Sequence, residues 1–237
     1  MMTRTEYLIR CISEAGVTIT ETQASLLLFY YERLIETNKV MNLTAVTDFE
    51  EAANKHFADS LTLNRAIDPE RVSSLIDIGT GAGFPGLPLA IVYPHIRVTL
   101  MDSLNKRIIF LENLIKELQL ENVTAVHARA EDLARQADHR EKYDLAVSRA
   151  VANLSTLAEY ALPFVKVGGR FVSYKSSKGK AELAEADKAI TALGGTIEKM
   201  ENFTLFDMDR SLIVIKKVAK TPKKFPRKAG TPAKEPL

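Results

Sequence analysis

Four glycines fall within eight positions in the run Asp77-Ile-Gly79-Thr-Gly81-Ala-Gly83-Phe-Pro-Gly86. The run follows an apolar, strand-like stretch, Ser74-Leu75-Ile76, and precedes a helix-like one from Leu87 to Tyr93. A strand, a glycine turn and a helix in that order build a nucleotide pocket. Glycine lacks Cβ, so the backbone turns sharply and approaches a ligand closely.

Two registers compete for the run. Read from Gly81, Gly81-Ala-Gly83-Phe-Pro-Gly86 satisfies the dinucleotide pattern G-x-G-x-x-G. Read from Asp77, the run is D-x-G-x-G-x-G, the pattern of S-adenosylmethionine (SAM)-dependent methyltransferases. The strand decides between them. The first glycine of a dinucleotide fingerprint sits at the strand end, which here is Gly79, and its third position then falls on Phe84. Asp77 suits a ligand carrying an ammonium group, and Pro85 fits the opening turn of a helix. Asp102 ends a second strand-like run, Arg97 to Asp102, where Rossmann-like folds place an acid on ribose hydroxyls. It equally fits the cap of a helix starting near Asn105.

The 237 residues suffice for one α/β domain with an extension, and a hydrophobic content of 46% provides its core. The longest apolar runs are too short to span a membrane. Glu6 and Arg10 interrupt what would otherwise be a signal segment. The single cysteine, Cys11, excludes an internal disulfide and fits a reducing compartment, so the cytoplasm is expected. Net charge is +2 but unevenly placed. Lys220, Lys223, Lys224, Arg227, Lys228 and Lys234 face only Glu235 in the last stretch, so the rest of the chain is net negative. Four prolines interrupt that basic segment, Pro222, Pro226, Pro232 and Pro236, and argue against a helix or central strand. The reading is a tail that is either disordered or ordered on a polyanion.

Residues 1–68 read as a helical extension packed on the core, 69–218 as the catalytic α/β domain and 219–237 as the tail. Thr20-Glu-Thr-Gln23 and Asp48-Phe-Glu-Glu51 are capping boxes opening two helices, with a loop over Lys39–Thr44 between those helices. Strand-like runs at 73–78, 97–102, 122–127, 143–148 and 169–174 alternate with helix-like runs at 86–93, 105–118, 151–164 and 179–193. Such alternation implies a parallel sheet covered on both faces. The runs 196–205 and 210–217 leave no room for a crossover helix and must pair antiparallel. The expected fold is a class I methyltransferase-like, seven-stranded, mostly parallel sheet with an antiparallel last strand.

His56, His95, His127 and His139 lack metal-ligand spacing, and no metal site is expected. Ala130-Glu131 follows the third strand, where an adenine edge is read in this fold. A helix-starting acid is the alternative there. Ser148 and Arg149 end the fourth strand, and ligands of open α/β sheets bind outside the carboxyl ends of strands. Arg149 then meets a cofactor carboxylate, an RNA phosphate or a structural acid partner. No Asn/Asp-Pro-Pro-aromatic motif for exocyclic amines stands here, and Cys11 is poorly placed as a nucleophile for pyrimidine C5. A ring nitrogen with a free lone pair needs neither device, only orientation. His56, Asp59 and Ser60 share one helical face that either lines the pocket or forms a local His–Asp contact.

These segments together resemble the RsmG (GidB) family of bacterial small-subunit ribosomal RNA methyltransferases. The resemblance runs nearly end to end. It rests on Asn42-Leu-Thr-Ala45, Lys55-His56-Phe57 with Asp59-Ser60, Asp77 to Gly86, Asp102-Ser103, Lys106-Arg107, Ala130-Glu131, Ser148-Arg149-Ala150 and Pro222 to Pro232. It implies SAM-dependent methylation of guanine N7 in the decoding-region loop of 16S rRNA, with cofactor contacts at Gly79, Phe84, Ala130, Glu131 and Arg149. In the family, loss of this methylation accompanies low-level streptomycin resistance. The expected cofactor site is Asp77, Gly79, Gly81, Gly83, Phe84, Asp102, Ala130, Glu131 and Arg149, with Ser148 and Arg149 positioning the reactants. Lys106, Arg107, Lys175, Lys178, Lys223, Lys224, Arg227 and Lys228 are the expected RNA contacts. The partner is the small ribosomal subunit, and a monomer is expected. Alternatives are a methyltransferase for a small molecule or protein, a nicotinamide oxidoreductase, and a non-catalytic RNA-binding protein.

Overall fold

A computed structural model of the chain describes residues 2–149, 152–176 and 179–237. Ala150 and Lys178 lie outside the described residues.

The chain opens with helices α1 (Arg4–Glu14) and α2 (Glu21–Met41). The expected box at α2 forms: Thr20 Oγ1 accepts from Gln23 N at 3.2 Å, and Gln23 Oε1 accepts from Thr20 N at 2.9 Å. The helix runs through the first half of the segment read as a loop and stops at Asn42, which adopts a left-handed φ of 51°. The second box is only half made. Asp48 Oδ1 accepts from Glu51 N at 3.0 Å, but the Glu51 carboxylate turns to Lys55 instead. The helix it opens is not regular. It begins as α3 (Phe49–Ala52), widens to a π-helix over Ala53–Ala58, returns as α4 (Asp59–Leu61) and tightens to 3₁₀ over Thr62–Arg65. Such widened turns often mark functional sites.

The remainder alternates as the spacing predicts: β1 (Ser74–Ile78), α5 (Gly86–Val92), β2 (Arg97–Asp102), α6 (Asn105–Glu117), β3 (Val123–His127), α7 (Ala130–Leu133), β4 (Tyr143–Arg149), α8 (Leu154–Ala161), β5 (Val165–Lys175), α9 (Gly179–Ala192), β6 (Gly195–Leu205) and β7 (Met208–Lys217). A last turn, α10 (Thr231–Lys234), follows. The sheet order is β3-β2-β1-β4-β5-β7-β6. β1 to β5 pair in parallel, and β7 inserts antiparallel between β5 and β6. The order reverses between β1 and β4, which opens a crevice at their carboxyl ends.

Side chains alternate across the sheet into two apolar layers. Leu75 and Leu100 face the first, shared with α1, α2, α5 and α6, so residues 1–68 have no separate core. Ile76 and Met101 face the second, shared with α8 and α9. Phe225 joins that second layer at 5% exposure. The segment 219–237 therefore packs as part of the fold, against the expectation of a tail that is disordered or ordered only on a polyanion. Arg140 donates to the carbonyls of Thr221 (2.9 Å) and Phe225 (3.0 Å), and Arg135 to that of Pro226. Prolines do not prevent this, because its carbonyls are held by arginine side chains rather than by a ladder.

Candidate active site

The glycine loop leaves β1 with left-handed φ values of 68° at Gly79, 63° at Gly81 and 111° at Gly83. Its bend is held from below by Asp77. Asp77 Oδ2 accepts from Thr80 Oγ1 at 2.7 Å and from the Gly86 amide at 2.8 Å, at the start of α5. Asp77 is fully buried, Oδ1 has no partner among the described residues, and burial pushes its pKa up to about 6. The sequence reading put Asp77 at the ligand. The structure turns it away from the groove, because alternation along β1 points it under the loop. Ser148 is likewise buried, and its Oγ donates to the Ile78 carbonyl at 2.8 Å. Gly83 packs under α2, where an added Cβ would lie 2.7 Å from Tyr30 Oη.

Three cavities meet along the carboxyl edge of the sheet. The first, about 400 Å³, is lined by Gly79, Gly81, Phe84, Asp102, Arg107 and Arg149, among others. A second, about 300 Å³, continues from Gly79 and Asp102 toward Ala130, Glu131 and Tyr160. A third, about 550 Å³, shares His56 and Arg149 with the first and opens among Lys55, Asp59, Lys175, Phe203 and Arg210. At an added Cβ on Gly81 nothing lies within 4 Å, so the loop faces open groove there.

Asp102 closes β2 beside the loop. Its Oδ2 accepts from the Gly81 amide at 3.0 Å and Arg107 at 3.0 Å, and its Oδ1 from the Leu104 amide at 2.9 Å. It thus braces the turn into α6 while lining the groove. Glu131 is in the first turn of α7 and also lines the groove, so the two readings of it coexist.

Aromatic packing places Phe84 against His56 and Arg149, the two residues that the first and third cavities share. Tyr30 stacks on it at 5.1 Å and His56 at 4.6 Å, and the Arg149 guanidinium sits 5.2 Å above the ring centre. Arg149 donates to Asp59 Oδ2 at 2.9 Å and to the Lys55 carbonyl at 3.0 Å in the π-helix. Arg210 donates to the other Asp59 oxygen at 2.7 Å. One buried carboxylate therefore holds two arginines, a geometry that fixes both. Burial first and Arg149 second lower the His56 pKa to about 4, so the ring is neutral near pH 7. Its Nδ1 faces Arg149, which can only donate, so Nε2 carries the proton toward Thr44 Oγ1 at 2.9 Å.

The expected RNA cations divide. Lys106, Lys223, Lys224 and Lys228 are exposed. Arg107 pairs with Asp102, Lys175 with Glu182 at 2.7 Å, and Arg227 with the fully buried Glu159 at 2.7 Å. These three are engaged inside the fold. Among the described residues no cluster of three His, Cys, Asp or Glu is placed to hold a metal, and no helix is long and apolar enough to cross a membrane. Tyr30, Arg210 and Glu159 escaped the sequence reading. Only Glu159 left a signal, as the lone acid in the apolar run Leu154–Ala161.

Residues 23–213 match a family model described as GidB, rRNA small subunit methyltransferase G. Relatives named ribosomal RNA small subunit methyltransferase G include those of Lachnoclostridium phytofermentans, 51% identical over 97% of this chain and 96% of that protein, and Bacillus subtilis, 46% identical over 95% of each. Among solved structures, the Methanococcus jannaschii fibrillarin pre-rRNA processing protein superposes with a TM-score of 0.53 at 19% identity, covering 65% of this chain and 70% of that one. A Streptococcus thermophilus rRNA methylase gives 0.51 at 17% identity, covering 68% and 97%. These structural likenesses speak to fold alone.

Proposed function

We propose that this chain, which belongs to the GidB family of rRNA small subunit methyltransferases, transfers a methyl group from SAM to N7 of a guanine in the decoding-region loop of 16S rRNA. The observation that carries this reading is the meeting of a donor groove and a separate acceptor cavity at His56 and Arg149. The groove suits the cofactor in shape and chemistry. The loop backbone at Gly79–Gly81 faces open space for the methionine portion, Asp102 lies where the ribose belongs, and the end lined by Ile78, Met101, Ala130 and Tyr160, with Glu131 at its edge, suits adenine. When bound, SAM supplies an electrophilic methyl group.

The chain's own residues then orient and stabilise. Guanine N7 bears a lone pair and no proton, so no general base is required. Phe84 and His56 form the wall between donor and acceptor, and Arg149 is locked over that wall by Asp59. Because His56 is neutral, its ring adds no positive charge beside the purine that becomes cationic on methylation, and Asp59 offsets one of the two arginines it holds. Catalysis is thus mainly alignment of N7 with the methyl group. The exposed Lys106, Lys223, Lys224 and Lys228 are the phosphate contacts, and Arg107, Lys175 and Arg227 leave that set. The proposed setting is the cytoplasm, with a monomer acting on the small subunit.

The test is transfer of labelled methyl from SAM to small subunits and to deproteinised 16S rRNA from a strain lacking the protein. Label at one guanine N7 is expected. No label in either substrate, despite SAM binding, would sink the reading in favour of a small-molecule or protein acceptor.

A further inference from the structure

The C-terminal segment reaches the donor groove from behind. Gly230 and Ala233 line the end of the groove that holds Ala130, Glu131 and Tyr160. The Gly230 amide donates to Glu131 Oε1 at 2.8 Å across 99 residues of sequence. Arg227 anchors this approach. Its backbone amide and its guanidinium both grip Glu159, the guanidinium at 2.7 Å through Nη2, while Nη2 also donates to the Glu235 carbonyl at 2.8 Å. Glu159 is fully buried on α8 and adjoins Tyr160 of the groove wall. Thr156 Oγ1 of the same helix donates to the Pro232 carbonyl at 3.0 Å. The segment is tied on both sides of the point where it meets the groove.

We propose that residues 225–234 form a strap that completes the wall around the adenine end of the cofactor site, with Arg227 as the positioning residue that seats it. This rests on reading the groove as a SAM site. A purine needs apolar cover on its faces and fixed polar groups at its edge. Glu131 and Ala130 supply the edge, and the strap both orients Glu131 and closes the open side. The lysines that mark the segment in sequence, Lys223, Lys224, Lys228 and Lys234, are exposed, whereas Arg227 turns inward and Gly230 and Ala233 line the groove. Loss of the Arg227 anchor leaves Glu159 buried without its counterion, so the strap lifts and one wall of the site goes with it.

The experiment measures the Kd of S-adenosylhomocysteine by calorimetry on full-length wild type, Arg227→Ala, Arg227→Lys and Ala233→Glu. The Kd for 16S rRNA is measured alongside. Arg227→Ala is expected to raise the cofactor-product Kd at least about tenfold while leaving the RNA Kd within about twofold, with Arg227→Lys in between. Ala233 is exposed at the groove, so Ala233→Glu keeps the fold and gives the same rise even where Arg227→Ala unfolds. An unchanged cofactor-product Kd in Ala233→Glu and in folded Arg227→Ala overturns the proposal, as does an effect confined to RNA. Wild type that binds no S-adenosylhomocysteine overturns the reading of the groove itself, a different result from unaltered variants.

Discussion

The glycine loop and the C-terminal strap meet the same groove but are held in opposite ways. Asp77 grips the loop through Thr80 and Gly86, three and nine residues away. The strap is gripped by Glu159, Glu131 and Arg140, which lie 68 to 99 residues distant. Both segments are rich in glycine or proline. One carries the carboxylate that holds its bend within its own sequence; the other takes its side-chain anchors Glu159, Glu131 and Arg140 from elements that only the sheet topology brings near. A locally scaffolded segment announces its shape, and a borrowed one announces only its composition.

The contrast breaks most sharply at Gly86. An added Cβ there would lie 2.8 Å from Asp77 Cβ and clash with Leu100. Gly86→Ala is expected to cost about 1–3 kcal/mol of stability. It should also lower methyl transfer about 100-fold by displacing the loop. Calorimetric melting and a single-turnover methylation assay check this, and a variant with near-normal activity would mean the loop is not held from below.

Arg227→Ala makes the complementary cut. Leaving Glu159 unpaired is expected to cost about 3 kcal/mol locally. Hydrogen exchange should speed up across residues 225–234 while the loop amides keep their protection. Exchange rising equally in both segments would show that they are one cooperative unit and dissolve the comparison.

Asp77→Asn tests the scaffold through pH. The folded-state pKa of Asp77, about 6, lies above its ordinary 3.8, so its contribution is greatest at low pH and is lost as pH rises through about 6. Asparagine removes that loss. Urea denaturation should show the variant gaining up to about 3 kcal/mol on wild type between pH 4 and pH 6. His56, with its folded pKa of about 4 below an ordinary 6.5, acts in the opposite direction over the same window, but equally in both proteins, and cancels in the difference.

The smallest effect is expected on the outer face of the strap. Lys223→Ala, Lys224→Ala and Lys228→Ala should each change stability by less than about 0.5 kcal/mol. Each lysine that meets a phosphate should lower the salt dependence of RNA binding by about one. A shift in cofactor affinity from these changes would contradict the division between an outer RNA face and an inner cofactor face.

Where the sequence reading went astray, direction was the cause. Spacing gathers Asp77 and Ser148 at strand ends, but whether each side chain faces the groove depends on the pleat and on what packs beneath. Both turn inward. His56 and Asp59 were legible as a shared helical face. Their partners were not, because Arg149 comes from the end of β4 and Arg210 from β7. Tyr30 sits in an ordinary apolar helical pattern, so nothing in α2 marks it as the ring that stacks on Phe84.

The alternation of strands and helices, the antiparallel ending and the glycine loop after β1 are all legible in the residues themselves. Each of these is set by interactions within a few residues: backbone hydrogen bonds, caps and the freedom of glycine. The packing of the elements settled that one carboxylate, Asp59, holds two arginines and that Asp77 lies beneath the loop. It also turned a basic, proline-broken segment into a wall of the groove. The arginine pair and the groove wall depend on buried charge pairs between residues far apart in the chain, whose partners exist only once the sheet has brought the elements together, whereas the placing of Asp77 depends on which way the β1 pleat turns it.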